Sequence, residues 1–169
     1  MVVAMTPPSL GRDRREWHRR AGRLRIGADR GLDRHARPQP RQVFGHVVKN
    51  LARYPLAYIH IIEGATGGPR DHQQGDQPFD YDALRSTYVA AGGKAAWMTN
   101  NGYDRALAVK TVKDGEADLV AFGKPFIANP DLVERLKRDA PLNTPDQATF
   151  YGGGAKGYTD YPFLDTAEA

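Results

Sequence analysis

Apolar residues recur every three or four positions in several stretches of this chain, which is the spacing of an amphipathic helix. The pattern predicts helices over Val43–Leu51, Tyr81–Ala91, Tyr103–Lys113 and Pro130–Arg138. Two polar residues stand where a helix N-cap is expected, Asp80 before the second helix and Asn129 before the fourth. Helices therefore recur along the chain from about residue 42 onward.

Short apolar runs lie between these helices, at Ala57–Ile62, Lys94–Thr99 and Ala117–Phe122. Strands that alternate with helices indicate a parallel sheet with right-handed crossovers, and such strands are continuously apolar because both faces are covered. A closed barrel of eight strands typically needs about 250 residues, whereas this chain has 169. The predicted fold class is α/β, a partial TIM (β/α)8 barrel of about three parallel strands with covering helices.

The first 41 residues differ from the rest in charge and in pattern. They contain eleven arginines, no lysine and four acidic residues, whereas the remainder is mildly acidic. Their few large apolar side chains are scattered, so this stretch cannot bury enough surface to offset the entropy lost on ordering. The expected organisation is a disordered basic leader at residues 1–41, a half-barrel at 42–163 and a tail at 164–169.

Three interpretations of the leader stay open. Clustered cations are typical of a nucleic-acid-binding arm. An organellar transit segment is usually rich in serine and poor in acids, but Ser9 is the only serine of the leader and four acids are present. A non-native leader from an altered start or reading frame is favoured, because the orderly pattern begins abruptly near Gln42.

Composition excludes several classes of protein. Cysteine is absent, which excludes disulfides, thiolate metal sites and cysteine nucleophiles. No apolar run approaches the roughly 18–20 residues of a membrane span, and the first residues lack the apolar core of a secretory signal. The expected location is therefore the cytoplasm.

Two turns follow predicted strands at the place where parallel sheets bind ligands. They are Thr99–Gly102 and Phe122–Lys124. Ligands bind at the carboxyl ends of parallel strands, backbone N–H groups there attract phosphate, and glycine allows a close approach of the backbone. Turn geometry alone also accounts for such glycines, so these turns indicate a phosphate site without establishing one.

Three longer motifs contain or follow these turns. They are Thr99-Asn100-Asn101-Gly102-Tyr103-Asp104, Ala121-Phe122-Gly123-Lys124-Pro125-Phe126-Ile127-Ala128-Asn129-Pro130-Asp131-Leu132, and Thr149-Phe150-Tyr151-Gly152-Gly153-Gly154-Ala155-Lys156-Gly157-Tyr158-Thr159-Asp160-Tyr161-Pro162. Through them, residues 42–163 resemble the C-terminal half of the Old Yellow Enzyme family of FMN-dependent NADH:flavin oxidoreductases. The resemblance implies FMN as cofactor, NAD(P)H as reductant and an activated alkene as substrate. Leu56–Glu63 resembles the sixth strand of that barrel.

The resemblance assigns site residues position by position. Asn101 and Gly102 would lie against the FMN phosphate, in a motif that the family writes as Thr/Ala-Asn-Gly-Gly-Tyr-Asp. Gly123 and Lys124 would close the same site. The family usually has arginine where Lys124 stands, and lysine keeps the charge but lacks the planar two-pronged grip of arginine.

An aromatic pair completes the assignment. Phe150 would pack near the flavin ring and Tyr151 would line the substrate side, although plain core packing is the simpler interpretation of both.

No catalytic acid, base or nucleophile is assigned in this chain, and no metal ligand. The family's His/Asn or His/His pair and its tyrosine come from the first five strands, which have no counterpart here. His46 and Asn50 lie four apart on the first predicted helix and fit a solvated or packed face, His60 fits a core position, and His72 in a polar loop is a weak metal candidate.

Three functions remain in competition. The chain could represent part of an ene reductase with little turnover by itself. It could be a non-catalytic module that holds FMN phosphate, docks on a complementary half-barrel or self-associates through exposed sheet edges. Nucleic-acid binding through the leader is the third.

Overall fold

A computed structural model of the chain describes residues 23–27, 40–64, 78–150, 152 and 154–164. Within these ranges the elements are β1 (Arg23–Gly27), α1 (Pro40–Leu51), β2 (Tyr58–Ile62), α2 (Tyr81–Ala90), β3 (Ala96–Asn100), α3 (Arg105–Lys113), β4 (Leu119–Ala121), α4 (Lys124–Ala128), α5 (Leu132–Arg138) and a 3-10 turn at Gln147–Thr149. The strands form one sheet in the order β1-β2-β3-β4, and β1 and β3 both pair in parallel with β2. The predicted α/β class is confirmed, and all three predicted strands form.

The strand β1 corrects the prediction that residues 1–41 lack regular structure. Five of these residues pair with β2 in parallel, from Arg23 opposite Tyr58 to Gly27 opposite Ile62. The prediction is wrong for them because backbone pairing with a strand more than thirty residues away supplies hydrogen bonds that local composition does not reveal. The alternation Arg-Leu-Arg-Ile at residues 23–26 is the period-two signal that could have indicated this strand.

The chain divides into two compact units, one within residues 5–120 and the other within residues 121–169. The first unit has its core between the sheet and the helices α1 and α2. The buried side chains of this core are Val48, Ile59, Ile61, Leu84, Tyr88, Trp97 and Ala117. Ile59 and Ile61 share one face of β2, as the period of two requires.

Tyr88 is the largest fully buried side chain of that core. Its ring packs on Trp97 with the centroids 6.0 Å apart. Its hydroxyl accepts the backbone N–H of Ala95 at 2.9 Å, so a buried polar group is satisfied without water. Apolar packing and one internal hydrogen bond therefore anchor α2 to the start of β3.

Of the two predicted helix N-caps, the structure confirms Asp80 and contradicts Asn129. Asp80 caps α2, as predicted, because its carboxylate accepts the N–H of Ala83 at 2.8 Å. Asn129 was predicted to cap the next helix along, but α5 begins only at Leu132. Asn129 instead ends the unpredicted short helix α4, and its side-chain amide donates to the carbonyl oxygen of Pro125 at 2.8 Å while its Oδ1 accepts the N–H of Asn143 at 2.7 Å. A fully buried asparagine satisfies its polar atoms through tertiary contacts, which overrides the local capping pattern.

Candidate functional site

The turn that follows β3 has an unusual backbone. Asn101 has a φ of 95° and Gly102 a φ of 68°, so two consecutive residues adopt the left-handed region. Glycine enters this region freely and asparagine is one of the few other residues that tolerate it. The helix α3 starts directly after the turn, capped by Asp104, whose carboxylate accepts the N–H of Leu107 at 2.8 Å. The predicted phosphate residues of this unit therefore lie between a strand end and a helix start.

Glu63, the first residue after β2, connects the two strand ends. Ile62 and Asn100 are register partners at the ends of β2 and β3. The N–H of Glu63 donates to the carbonyl oxygen of Asn100 at 3.2 Å, and the Glu63 carbonyl oxygen accepts the side-chain amide of Asn101 at 2.6 Å. The ladder between β2 and β3 thus extends one residue beyond the strands and continues into the turn.

The side chain of Glu63 is part of the same connection. Its carboxylate oxygen Oε2 accepts the hydroxyl of Tyr103 at 2.9 Å, and the Tyr103 hydroxyl lies 3.4 Å from Thr99 Oγ1. Glu63 is 9% exposed and Tyr103 is 7% exposed. Neither residue is among the site residues that the sequence predicts. The one available signal was an acidic residue at the end of a continuous apolar strand.

The second pair of predicted phosphate residues belongs to the unit within residues 121–169. Gly123 precedes α4, Lys124 is its first residue, and both are exposed. A Cβ added at Gly123 would meet no heavy atom of the described residues within 4 Å, so the space beside its Cα is open to that part of the chain. Lys124 adds a positive charge at this open backbone.

Of the two aromatic candidates, the structure describes Phe150 but not Tyr151. Phe150 follows the 3-10 turn and is buried, and its carbonyl oxygen accepts the hydroxyl of Tyr158. This burial agrees with packing inside the unit, the simpler of the two interpretations. Tyr151 lies outside the described residues, so its substrate role stays a prediction.

The structure describes two of the five histidines, His46 and His60. On the surface of α1, the Nε2 of His46 lies 3.0 Å from the side-chain amide nitrogen of Asn50. His60 lies in the middle of β2 and is buried, as expected of a core position. His18, His35 and His72 fall outside the described residues. Within the described ranges, no group of three or more His, Asp or Glu side chains is arranged to hold a metal ion.

Each of the two turns, taken by itself, has features that suit the phosphate of FMN. The left-handed turn Asn101–Gly102 belongs to a type of backbone that can direct successive N–H groups toward an anion. Gly123 leaves its backbone open, and Lys124 supplies a cation.

Among the described helices, none is both long and apolar enough to cross a membrane.

Comparison with known proteins identifies relatives over most of the chain. The sequence model of the NADH:flavin oxidoreductase / NADH oxidase family matches residues 38–143. The rice (Oryza sativa subsp. japonica) putative 12-oxophytodienoate reductase 6 is 41% identical over 131 residues, covering 75% of this chain and 31% of that protein. Rice 12-oxophytodienoate reductase 1 is 42% identical over 125 residues, covering 71% of this chain and 30% of its own length.

Solved structures give the same result. Morphinone reductase superposes with a TM-score of 0.69 at 37% identity, over 87% of this chain and 37% of that chain. It has also been solved in complex with tetrahydroNAD. The old yellow enzyme from Trypanosoma cruzi superposes with a TM-score of 0.67 at 34% identity, over 85% and 35%.

The chain spans about a third of the length of the relatives that it matches. Over that third, its sequence and its fold agree with those of one family. The chain belongs to the NADH:flavin oxidoreductase / NADH oxidase family, the family of the Old Yellow Enzymes.

Proposed function

We propose that this chain is part of an Old Yellow Enzyme-type oxidoreductase that binds FMN, takes electrons from NAD(P)H and reduces a small molecule with an activated alkene. Family membership is the observation that carries this proposal. The names of the rice relatives, 12-oxophytodienoate reductases, support a reductase acting on a small organic molecule. The cytoplasmic location expected from the sequence stays a proposal.

Six residues contribute to the proposed cofactor and substrate site. We assign contacts with the FMN phosphate to Asn101, Gly102, Gly123 and Lys124, a place near the flavin ring to Phe150 and the substrate side to Tyr151. The chemistry that bound FMN supplies in this family is hydride transfer from a nicotinamide to an activated alkene. The residues of this chain bind and orient the phosphate end of the cofactor, and none is assigned a proton transfer.

Turnover by the 169-residue chain expressed by itself is expected to be low. The chain covers about a third of the length of its relatives, and the family's catalytic histidine and tyrosine have no assigned counterpart among its residues.

A binding or docking role is the second candidate, which predicts activity only after co-expression with a complementary half-barrel. Nucleic-acid binding through residues 1–41 is the third candidate, and most of these residues lie outside the described ranges. It predicts that the affinity for DNA or RNA falls steeply with added salt.

The phosphate assignment is tested by titrating the fluorescence of FMN with the purified chain. We expect saturable binding, weakened about tenfold by Lys124→Ala, because about 1.4 kcal/mol of interaction with the phosphate would be lost. Lys124→Arg should bind at least as well as the native chain, since guanidinium contacts phosphate through two parallel hydrogen bonds.

The matched control is Lys137→Ala, which removes another exposed lysine from the same unit. Lys137 pairs with Glu134 at 3.8 Å on the surface of α5, and an exposed pair of this kind contributes little to stability. Equal affinities of the native chain, Lys124→Ala and Lys137→Ala would remove Lys124 from the site. No saturable FMN binding by a folded chain would overturn the proposed cofactor role.

A further inference from the structure

The turn Asn101–Gly102 needs an external restraint. Two consecutive residues with positive φ are uncommon, and Asn101 is not a glycine. Residues in such conformations persist where the surrounding structure over-determines them. The restraint must come from groups that contact the turn, and the hydrogen bonds of Glu63 are the candidates.

Glu63 contacts the turn at three successive points. Its N–H bonds to the carbonyl oxygen of Asn100 before the turn, and its carbonyl oxygen accepts the side chain of Asn101 within it. Its carboxylate accepts the hydroxyl of Tyr103 after the turn. One residue therefore holds the start, the middle and the end of the segment Asn100–Tyr103.

We propose that Glu63 is a positioning residue for the FMN phosphate, acting through Asn101 and Tyr103. It holds the turn in the left-handed conformation, a type of backbone that can direct successive N–H groups toward an anion. This inference rests on the proposed function, because it concerns the phosphate contact assigned to Asn101 and Gly102. It adds two residues, Glu63 and Tyr103, to which no role in the site had been given.

We assign the positioning role to the hydrogen-bond acceptor of Glu63 and not to its negative charge. A carboxylate repels a nearby phosphate, so an electrostatic role would weaken FMN binding. A positioning role needs only an oxygen that accepts the Tyr103 hydroxyl, and the amide oxygen of glutamine also accepts. The substitutions Glu63→Gln and Glu63→Ala both remove the charge, but only alanine removes the acceptor.

The experiment compares the affinities of each variant of the full chain for FMN and for riboflavin. Riboflavin carries the same ring without the phosphate, so the ratio of the two dissociation constants reports the phosphate contact. Both affinities are measured on one preparation, and a partly unfolded fraction changes them by the same factor. The ratio therefore separates a loss of positioning from a general loss of stability.

We expect Glu63→Ala and Tyr103→Phe to lower the preference for FMN about fivefold, as expected when one hydrogen bond no longer orients the turn. Glu63→Gln should keep the native preference or raise it. The matched control is Tyr88→Phe, which also deletes a buried, hydrogen-bonded tyrosine hydroxyl from the same unit. It should lower the melting temperature but leave the preference unchanged.

The outcomes separate this inference from the proposed function. If the native chain prefers FMN and neither Glu63→Ala nor Tyr103→Phe changes that preference, the positioning role is overturned and the phosphate site stands. If Glu63→Gln loses the preference as Glu63→Ala does, the charge matters and the positioning role is also overturned. If the native chain binds FMN no better than riboflavin, the phosphate site itself is wrong and the positioning role is lost with it.

Discussion

Asn101 shows how one residue can depart from a family motif without disturbing the backbone. The family pattern has glycine at this position, and the backbone here keeps a glycine-like φ of 95°. Asparagine is tolerated in the left-handed region. Its side-chain amide also gains a hydrogen bond of 2.6 Å to the Glu63 carbonyl oxygen. The hydrogen bond offsets part of the conformational cost that any side chain brings to this position.

This explanation predicts different effects for two small substitutions at one position. Asn101→Ala should lower the free energy of unfolding by about 1–3 kcal/mol, because alanine keeps the steric penalty of positive φ and loses the hydrogen bond. Asn101→Gly should lower it by less than about 1 kcal/mol, because glycine has no such penalty. Urea unfolding measures both. Equal losses for alanine and glycine would contradict a left-handed Asn101.

The helix α5 shows how one element holds the end of the chain in the unit within residues 121–169. Arg135 is 5% exposed and donates through Nε to Asp131 Oδ1 at 2.7 Å. Its other nitrogens donate to the carbonyl oxygens of Pro141 at 2.6 Å and Pro162 at 3.0 Å. Asp131 also accepts the N–H of Leu164 at 2.5 Å. One ion pair on the helix thus holds both the loop that follows it and the C-terminal segment.

The Asp131–Arg135 ion pair predicts a dependence of stability on acid pH. Burial alone would raise the pKa of Asp131, but the hydrogen bonds from Arg135 and from the N–H of Leu164 outweigh it and hold the pKa below its ordinary value of 3.8. A lowered folded-state pKa stabilises the fold above the unfolded value, and this contribution is lost as pH falls from 3.8 through the lower folded value. Asp131→Asn should therefore cost on the order of 2 kcal/mol at neutral pH and show less loss of stability below pH 4.

Glu134→Gln is the control for this pH experiment. The Glu134 pKa is also lowered, mainly by the hydrogen bond from Arg138, but its side chain is 44% exposed. Solvent screening reduces the contribution of such a group, whereas Asp131 is only 14% exposed. Thermal unfolding followed from pH 6 to pH 3 measures both variants. Parallel curves for the native chain and Asp131→Asn would show that the Asp131 ion pair contributes no acid sensitivity.

At the scale of the whole molecule, β1 determines which strand lies at one edge of the sheet. It covers the side of β2 that does not face β3. Without it, β2 would expose a row of unpaired backbone N–H and C=O groups, and such edges recruit further chains. The arginine-rich stretch therefore contributes a strand to the described sheet.

A pair of shortened chains tests this contribution. The chain 40–169 should have a lower melting temperature than the chain 23–169 and should form more oligomer at the same concentration, because only the longer one retains β1. Differential scanning calorimetry and size-exclusion chromatography measure the two properties. Identical behaviour of the two chains would show that β1 is dispensable and would favour the interpretation of residues 1–41 as a leader without structure.

The sequence by itself determined the class of fold and the family of this chain. Continuous apolar runs and helical spacing depend on nearest neighbours, which is why the strands ending at Ile62 and Asn100 were predicted within a residue or two. The motifs around Gly102 and Gly123 identified the family because they can be read directly from short runs of the sequence. These features do not require knowledge of distant contacts.

Only the tertiary structure decided which distant residues meet. Composition placed Arg23–Gly27 in a leader, but pairing with β2 makes it a strand. The local pattern predicted Asn129 as a helix N-cap, but its side-chain oxygen instead accepts the backbone N–H of Asn143. Glu63 received no role, although it lies beside Asn101, 38 positions away along the chain. Each depends on hydrogen bonds between segments far apart in sequence, and the free energy of such bonds is not encoded in any local window.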